Sequence, residues 1–158
     1  MQNIQPLFFD LDFSSDNGHY RPITKNWLEN VFKKINFNEK KIVGVILVSP
    51  SYQGYAGDLA PLIDLCHQKN LPVLVDEAHG SYFLFCKNLN LPKSALISNA
   101  DLVIHSLHKS LNGLTQTAAL WYKGNLVNEQ NLIKSINLLQ TTSPSSLLLS
   151  SCEESIKD

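Results

Sequence analysis

Two short groups of reactive side chains carry the clearest chemical potential in this sequence of 158 residues. The first group is Asp76 with His79, and the second is Ser106 with His108 and Lys109. A lysine amine can condense with a carbonyl group, and a carboxylate can hold a positively charged partner. A hydroxyl and an imidazole beside the lysine suit the binding of a phosphate ester. These residue types therefore indicate a site for a phosphorylated carbonyl compound.

Each group directly follows a predicted buried strand, at residues 73–75 and 102–104. A third apolar run, 42–48, is rich in β-branched residues and predicts a strand buried on both faces. Asp58 is a candidate cap for a helix between the predicted strands 42–48 and 73–75. This order predicts an α/β domain with a mainly parallel sheet and helices on both faces. Ligands bind at the carboxyl ends of such strands, so we expect the two groups to meet.

The remaining elements are predicted from periodicity. Residues 1–25 show no sustained period, and Thr24 is a candidate cap for the helix that follows. That helix has apolar residues at helical spacing: Trp27, Leu28, Val31, Phe32 and Ile35. Residues 117–122 predict a fourth strand, 132–139 a late helix, and Ser145 or Ser146 the start of another.

Three other functions fit parts of the pattern. Asp-Glu-Ala-His at 76–79 also occurs in ATP-dependent helicases, but those need a GxxxxGK[ST] phosphate loop, which this sequence lacks. A serine hydrolase would need a GxSxG elbow, which is also missing. A metal site could use five side chains: Asp76, Glu77, His79, His105 and His108. Neither HExxH nor a Cys/His pair at ligand spacing is present, so we predict no metal centre.

Taken one at a time, these residues favour ordinary roles, because buried histidines are usually hydrogen-bonded structural groups. The pair Asp76 and Lys109 indicates more. Pyridoxal 5'-phosphate (PLP) chemistry needs a lysine amine for covalent attachment and an acid that keeps the pyridine nitrogen protonated. Ala78 is small and would leave room for a planar ring. The pair therefore predicts a PLP enzyme.

Bulk composition excludes several other classes. Thirteen basic and fourteen acidic residues leave no net field that would favour nucleic acid or an anionic membrane. The apolar runs are too short to span a bilayer, and the N-terminus does not match a signal peptide. Cys66, Cys86 and Cys152 are odd in number and widely spaced, which favours buried free thiols. We therefore expect a cytoplasmic protein without nucleic-acid or membrane partners.

Several motifs together resemble the Orn/Lys/Arg decarboxylases, which are fold-type I, aspartate-aminotransferase-like PLP enzymes. The resemblance covers most of the chain from about Gly18 to Ser151. It rests on four segments: Ser49-Pro50-Ser51-Tyr52-Gln53-Gly54, Leu74-Val75-Asp76-Glu77-Ala78-His79-Gly80, His105-Ser106-Leu107-His108-Lys109-Ser110-Leu111 with Leu114-Thr115-Gln116, and Thr141-Thr142-Ser143-Pro144-Ser145.

The resemblance implies a role for each site residue. Lys109 would carry PLP as a Schiff base, and Asp76 would pair with the pyridine nitrogen. Ser106 and His108 would lie at the phosphate. Ala78 and His79 would lie against or beside the ring. The catalytic residues implied by the resemblance are Lys109, Asp76 and His79. The implied reaction is decarboxylation of arginine, lysine or ornithine, a lyase step of polyamine metabolism that releases agmatine, cadaverine or putrescine.

The sequence also departs from the family pattern. Family members carry a Gly/Ser/Thr phosphate cup and a ring-stacking side chain before the first strand, where this chain has only Gly18. Thr is common where this chain has Ser110, and a small residue is usual where it has Leu107, which fits if Leu107 points into the core. We therefore expect residues 1–158 to form an incomplete large domain, without the phosphate-cup segment and the C-terminal small domain.

Two hypotheses follow from this incomplete pattern. In the first, the chain is a decarboxylase fragment that acts as a homodimer or with a complementing fragment. In the second, it is a catalytically inactive truncated or split remnant that acts, if at all, as a subunit or interaction partner. An incomplete phosphate site should bind PLP weakly in either case, because phosphate contacts supply much of the anchoring.

Overall fold

Strands and helices alternate along most of the chain. The computed structural model describes residues 4–85 and 90–157, so Cys86 and residues 1–3 lie outside the described part. The strands are β1 (Phe13–Ser14), β2 (His19–Tyr20), β3 (Val45–Val48), β4 (Val73–Asp76), β5 (Leu102–Ser106) and β6 (Ala118–Tyr122). The helices are α1 (Lys25–Lys34), α2 (Ala60–His67), α3 (Tyr82–Phe85), α4 (Leu107–Ser110), α5 (Glu129–Leu139) and α6 (Ser146–Lys157).

Local hydrogen bonds explain where the first two helices begin. The Thr24 hydroxyl accepts from the Trp27 amide at 3.2 Å, which confirms Thr24 as the cap of α1. The Asp58 carboxylate accepts from the Ala60 amide at 3.2 Å, at the first turn of α2. Helix α2 ends before Asn70, whose φ of 53° lies in the left-handed region that asparagine tolerates. The prediction for α1 is therefore confirmed, whereas the N-cap position of α2 is Leu59, which makes no side-chain cap, and Asp58 bonds the first helical amide from the residue before it.

The central sheet has four strands in the order β3-β4-β5-β6. Strands β3, β4 and β5 are parallel, and β6 pairs with β5 in the antiparallel sense. The register aligns Val48 with Asp76 and Asp76 with Ile104. The predicted α/β class with a mainly parallel sheet is confirmed. Strands β1 and β2 form a separate two-stranded hairpin in the region where no period was found.

One face of the sheet packs against α1 and α2 to form the core. Leu47, Val75 and Val103 are register partners on that face, and all three are buried. The helices contribute six buried side chains: Leu28, Val31, Phe32, Leu62, Ile63 and Cys66. Burial of these apolar side chains is the main source of the free energy that stabilises the fold.

The opposite face of β3 is open in the described part of the chain. Ile46 is 73% exposed and Val48 is 57% exposed, so the prediction of a strand buried on both faces is wrong. An apolar run shows that a strand is compatible with burial, but it does not supply the element that would cover it. Helix α5 is also uncovered, since none of its residues is buried.

The thiols and the hydropathy of the helices complete the description. Cys66 is a buried free thiol, as predicted, whereas the free thiol of Cys152 is only partly buried. Within residues 4–85 and 90–157, every helix is too short or too polar to cross a membrane.

Candidate active site

The ends of β4 and β5 lie side by side and carry the predicted reactive groups. Asp76 is the last residue of β4, and Ser106 is the last residue of β5. The single turn α4 follows β5 without a loop and carries Lys109. Because the two strands are parallel neighbours, their carboxyl ends meet at one edge of the sheet. The backbone thus places Asp76 and Lys109 at the same edge.

An open cleft of about 220 Å³ lies at this edge. Its lining contains four of the predicted site residues together with three residues from the end of β3: Asp76, Ala78, His79, Lys109, Val48, Pro50 and Tyr52. The Lys109 Nζ atom lies 3.3 Å from the Nε2 atom of His79. If the ammonium group donates, Nε2 is the acceptor.

Asp76 lines the cleft, and one of its two carboxylate oxygens is hydrogen-bonded to the backbone. Its Oδ1 atom accepts from the Ala78 amide at 3.0 Å, which fixes the orientation of the carboxylate. The other oxygen, Oδ2, receives no hydrogen bond from residues 4–85 or 90–157. A carboxylate held in this way has an acceptor left for a protonated ring nitrogen.

Two small residues leave space at the end of β4. Ala78 is 8% exposed and places only a methyl group at the wall of the cleft. Gly80 lies where a Cβ atom would come within 2.7 Å of Pro50 Cδ and 2.9 Å of the Phe83 ring. The chain can therefore turn tightly beneath Pro50 only with glycine at this position.

Ser106 and His108 do not line this cleft. Ser106 is buried, and its carbonyl oxygen accepts from the Ser81 hydroxyl at 3.2 Å. The Nδ1 atom of His108 lies 2.8 Å from the carbonyl oxygen of Thr117, so Nδ1 carries a proton and donates. The Nε2 atom of His108 can then donate to a phosphate only when the ring is protonated.

Residues next to Lys109 show how the short helix α4 is anchored. Leu107 is completely buried, so the expectation that its side chain points into the core is confirmed. The Ser110 hydroxyl is buried without a hydrogen-bond partner in the described part of the chain.

The structure separates the side chains that had been considered together as metal ligands. Asp76 and His79 line the cleft, while Glu77 and His105 form a completely buried pair at 2.8 Å. His108 is bonded to a backbone carbonyl instead. Alternation along β4 accounts for the split, since Asp76 and Glu77 point to opposite faces of the sheet.

Sequence reasoning did not assign a role to Tyr52. Its ring is 85% exposed and stands edge-on to the ring of His79, with centroids 5.5 Å apart. The signal that would have found it is its position just beyond the end of β3, at the same sheet edge as Asp76.

The residues of this cleft fit PLP by their chemistry. An amine, a carboxylate with a free oxygen and a small wall residue are the groups that hold the aldehyde, the ring nitrogen and the ring. All three lie around one cleft, at Lys109, Asp76 and Ala78.

Comparison with protein families gives one match over nearly the whole chain. The profile of the Orn/Lys/Arg decarboxylase major domain matches residues 1–157. An arginine decarboxylase of Bacillus cereus is 41% identical over 110 residues, which cover 70% of this chain and 24% of that protein. An arginine decarboxylase of Bacillus subtilis is 34% identical over 148 residues, covering 94% of this chain and 29% of that protein. The chain thus spans about a quarter of these relatives.

Solved structures with a similar fold share little sequence with this chain. Apo CalE6, a methionine gamma lyase from Micromonospora echinospora, superposes with a TM-score of 0.53 at 19% identity, over 75% of this chain and 31% of that one. A chain of the SepCysS–SepCysE N-terminal domain complex gives 0.51 at 19% identity, over 84% and 34%. At this identity the likeness shows the fold alone, which is that of fold-type I PLP enzymes.

Proposed function

The chain belongs to the Orn/Lys/Arg decarboxylase family, and from this premise we propose that it holds PLP at Lys109 for the decarboxylation of a basic amino acid. The observation that supports this most is the common cleft of Lys109, Asp76, Ala78 and His79. A bound cofactor of this type supplies an electron sink for the pair left on the substrate α-carbon when carbon dioxide leaves.

Each residue of the cleft has a part in this proposal. Lys109 supplies the amine that attaches the cofactor, and His79 lies 3.3 Å away, within hydrogen-bond reach of that amine. Asp76 accepts from the ring nitrogen through Oδ2 and keeps that nitrogen protonated. Ala78 leaves space for the ring. His79 also lies beside the ring, with Tyr52 at its edge.

The phosphate side of the site rests on Ser106 and His108. Both lie within three residues of Lys109 along the chain. Because His108 Nδ1 already donates to Thr117, a phosphate contact through Nε2 requires the protonated ring. A dianionic phosphate favours that protonated form by direct charge attraction. We place this pair at the phosphate as part of the proposal.

The substrate in this proposal is arginine, lysine or ornithine, and the product is the corresponding amine that feeds polyamine synthesis. Both relatives compared above carry the name arginine decarboxylase, so arginine is the first substrate to test. The reaction would take place in the cytoplasm, where free thiols such as Cys66 and Cys152 persist.

The open cleft supports a requirement for a second chain. Lys109 and His79 are exposed to solvent, and Tyr52 is almost fully so. Decarboxylation benefits from a closed site that excludes water from the reacting carbon. We therefore propose that turnover needs a homodimer or a complementing fragment that covers the cleft. The alternative is a catalytically inactive truncated or split remnant that acts, if at all, only as a subunit or interaction partner.

Covalent attachment of PLP is the direct test. The full chain is mixed with PLP and treated with borohydride, and peptide mass spectrometry then locates any fixed cofactor. We expect the label on Lys109 and its loss in Lys109→Ala. Lys134→Ala, on the exposed helix α5, is the matched control and should keep the label. A wild-type chain labelled equally at several exposed lysines, with none preferred, would contradict the proposal.

Release of carbon dioxide separates the two forms of the proposal. Arginine, lysine and ornithine are each offered to the PLP-treated chain, alone and in the presence of a separately expressed family phosphate-cup segment. Turnover in either case supports the decarboxylase. Label on Lys109 without turnover in both cases supports the inactive alternative.

A further inference from the structure

A buried polar network lies directly behind the cleft. The Glu77 carboxylate accepts three hydrogen bonds: from His105 Nε2 at 2.8 Å, from the Ser94 hydroxyl at 2.7 Å and from the Ala95 amide at 2.8 Å. The Trp121 indole donates to His105 Nδ1 at 2.9 Å. Glu77 and His105 are both 0% exposed. None of these groups lines the cleft.

The hydrogen bonds fix the protons in this network. An indole N–H can only donate, so Nδ1 of His105 must present its lone pair to Trp121. The ring proton is therefore on Nε2, which donates to Glu77. Three donors surround the two oxygens of Glu77, which is the arrangement that suits an ionised carboxylate. Every member is satisfied, as a buried network requires.

The network connects the elements that carry the proposed site. Glu77 directly follows Asp76 at the end of β4, and His105 directly precedes Ser106 at the end of β5. Trp121 extends the connection to β6. Because side chains alternate across the sheet, the network occupies the core face while Asp76 occupies the cleft face. Asp76 and Glu77 are thus neighbours in sequence that lie on opposite faces of the sheet at the end of β4.

We propose that Glu77, His105 and Trp121 are positioning residues for the cofactor site. They fix the ends of β4 and β5 relative to each other, so that Asp76 and Lys109 face one cleft at a set separation. This inference rests on the proposed function, because it assigns these residues a role toward PLP. It predicts that the network affects cofactor uptake beyond its effect on folding.

Two substitutions of His105 make the test. His105→Leu removes both hydrogen bonds and leaves buried partners unpaired, so uptake of PLP at Lys109 should weaken roughly tenfold or more. His105→Gln offers an amide oxygen for Trp121 and an amide NH₂ for Glu77, so it should restore uptake close to the wild-type level. Uptake is followed by titrating PLP and measuring the borohydride-fixed label on Lys109.

A second readout needs no cofactor. The Ala78 amide donates to Asp76, so its hydrogen exchange reports on how firmly the end of β4 is held. In the cofactor-free chain, exchange at Ala78 should accelerate roughly tenfold or more in His105→Leu and stay near the wild-type rate in His105→Gln.

The matched control is a similar pair at the other end of the sheet. His67 Nε2 lies 2.8 Å from the buried Asp101 carboxylate, which also accepts from the Val73 amide where β4 begins. His67→Leu should lower the thermal midpoint without changing uptake or the Ala78 rate. If His105→Leu fails to fold, Trp121→Phe takes its place. It removes the indole donor together with part of the ring, and its uptake and Ala78 exchange are compared with those of His67→Leu.

The outcomes separate this inference from the proposed function. Weaker uptake in His105→Leu than in His67→Leu, with rescue by His105→Gln, supports positioning. Uptake and Ala78 exchange equal to those of His67→Leu would overturn it. If the wild-type chain takes up no PLP at Lys109, the proposed function fails. Positioning is then judged by Ala78 exchange alone, and an unchanged rate in His105→Leu overturns it as well.

Discussion

Asp76 and Glu77 are adjacent carboxylates with opposite surroundings. Asp76 is half-buried and lines the cleft, with one oxygen bonded to the Ala78 amide, whereas both oxygens of Glu77 are bonded inside the core. Glu77 directly follows β4, and its amide still bonds the Ile104 carbonyl, so the alternation of side chains continues to this residue and produces the difference. A shift of one residue along the chain therefore determines whether a carboxylate lines the cleft, as Asp76 does, or forms hydrogen bonds in the core, as Glu77 does.

The thiols should differ in reactivity at the residue scale. Burial, followed by the nearby Asp101 carboxylate, raises the pKa of the Cys66 thiol from 9.0 to about 12. We therefore expect iodoacetamide to modify Cys152 in the native chain near pH 9 and to leave Cys66 intact, because only a thiolate reacts. Peptide mass spectrometry checks the result, and urea-unfolded chain, in which Cys66 should react, is the control.

The same shift has a consequence for stability. Between about pH 9 and about pH 12 the unfolded chain loses the Cys66 proton while the folded chain retains it. The free energy of unfolding should therefore fall as the pH rises through that window. Urea denaturation at several pH values between 9 and 12 measures this fall, and a free energy of unfolding that stays constant across the window would contradict it.

At the scale of elements, the turn between β4 and α3 depends on Gly80. Gly80→Ala would place a Cβ atom 2.7 Å from Pro50 and 2.9 Å from Phe83, so we expect a loss of about 1–3 kcal/mol in the free energy of unfolding. Urea denaturation measures the loss. Gly57→Ala is the control, because its nearest atoms lie at 3.3 and 3.4 Å and a smaller loss should follow. Equal losses would contradict the steric argument.

Much of the element structure could be predicted from local pattern. The cap at Thr24 and the strands of the parallel sheet follow from side-chain type and spacing. The exposure of β3 and α5 could not be predicted. An apolar pattern shows that an element can be buried, but it does not show whether another element covers it. Helix α5 has the predicted periodicity, yet all its side chains are at least partly exposed.

The candidate site also has residues that could be predicted from sequence and residues that could not. Asp76, His79 and Lys109 could be grouped from sequence because the ends of parallel strands meet. The pairing of Glu77 with His105 could not, because it depends on the register of β4 against β5 and on side-chain directions within the core. Tyr52 has no chemical signature of its own, and only its position beyond the end of β3 points to the cleft.

At the scale of the whole molecule, the open apolar surfaces should cause self-association. Leu138 and Leu139 are 76% and 82% exposed on α5, and Ile46 is 73% exposed on β3. Contiguous exposed apolar surface favours association in water. Sedimentation should show a mass that rises with protein concentration. Ile46→Lys and the double variant Leu138→Glu/Leu139→Glu identify which surface is used, and a monomer at every concentration would contradict the expectation.

The contact between Lys109 and His79 joins the ends of β4 and β5 across the cleft. Both side chains line the same cleft, so any carbonyl compound that approaches the amine also meets the imidazole. The two strand ends therefore present their reactive groups as one unit, and a change at either residue alters the surroundings of the other.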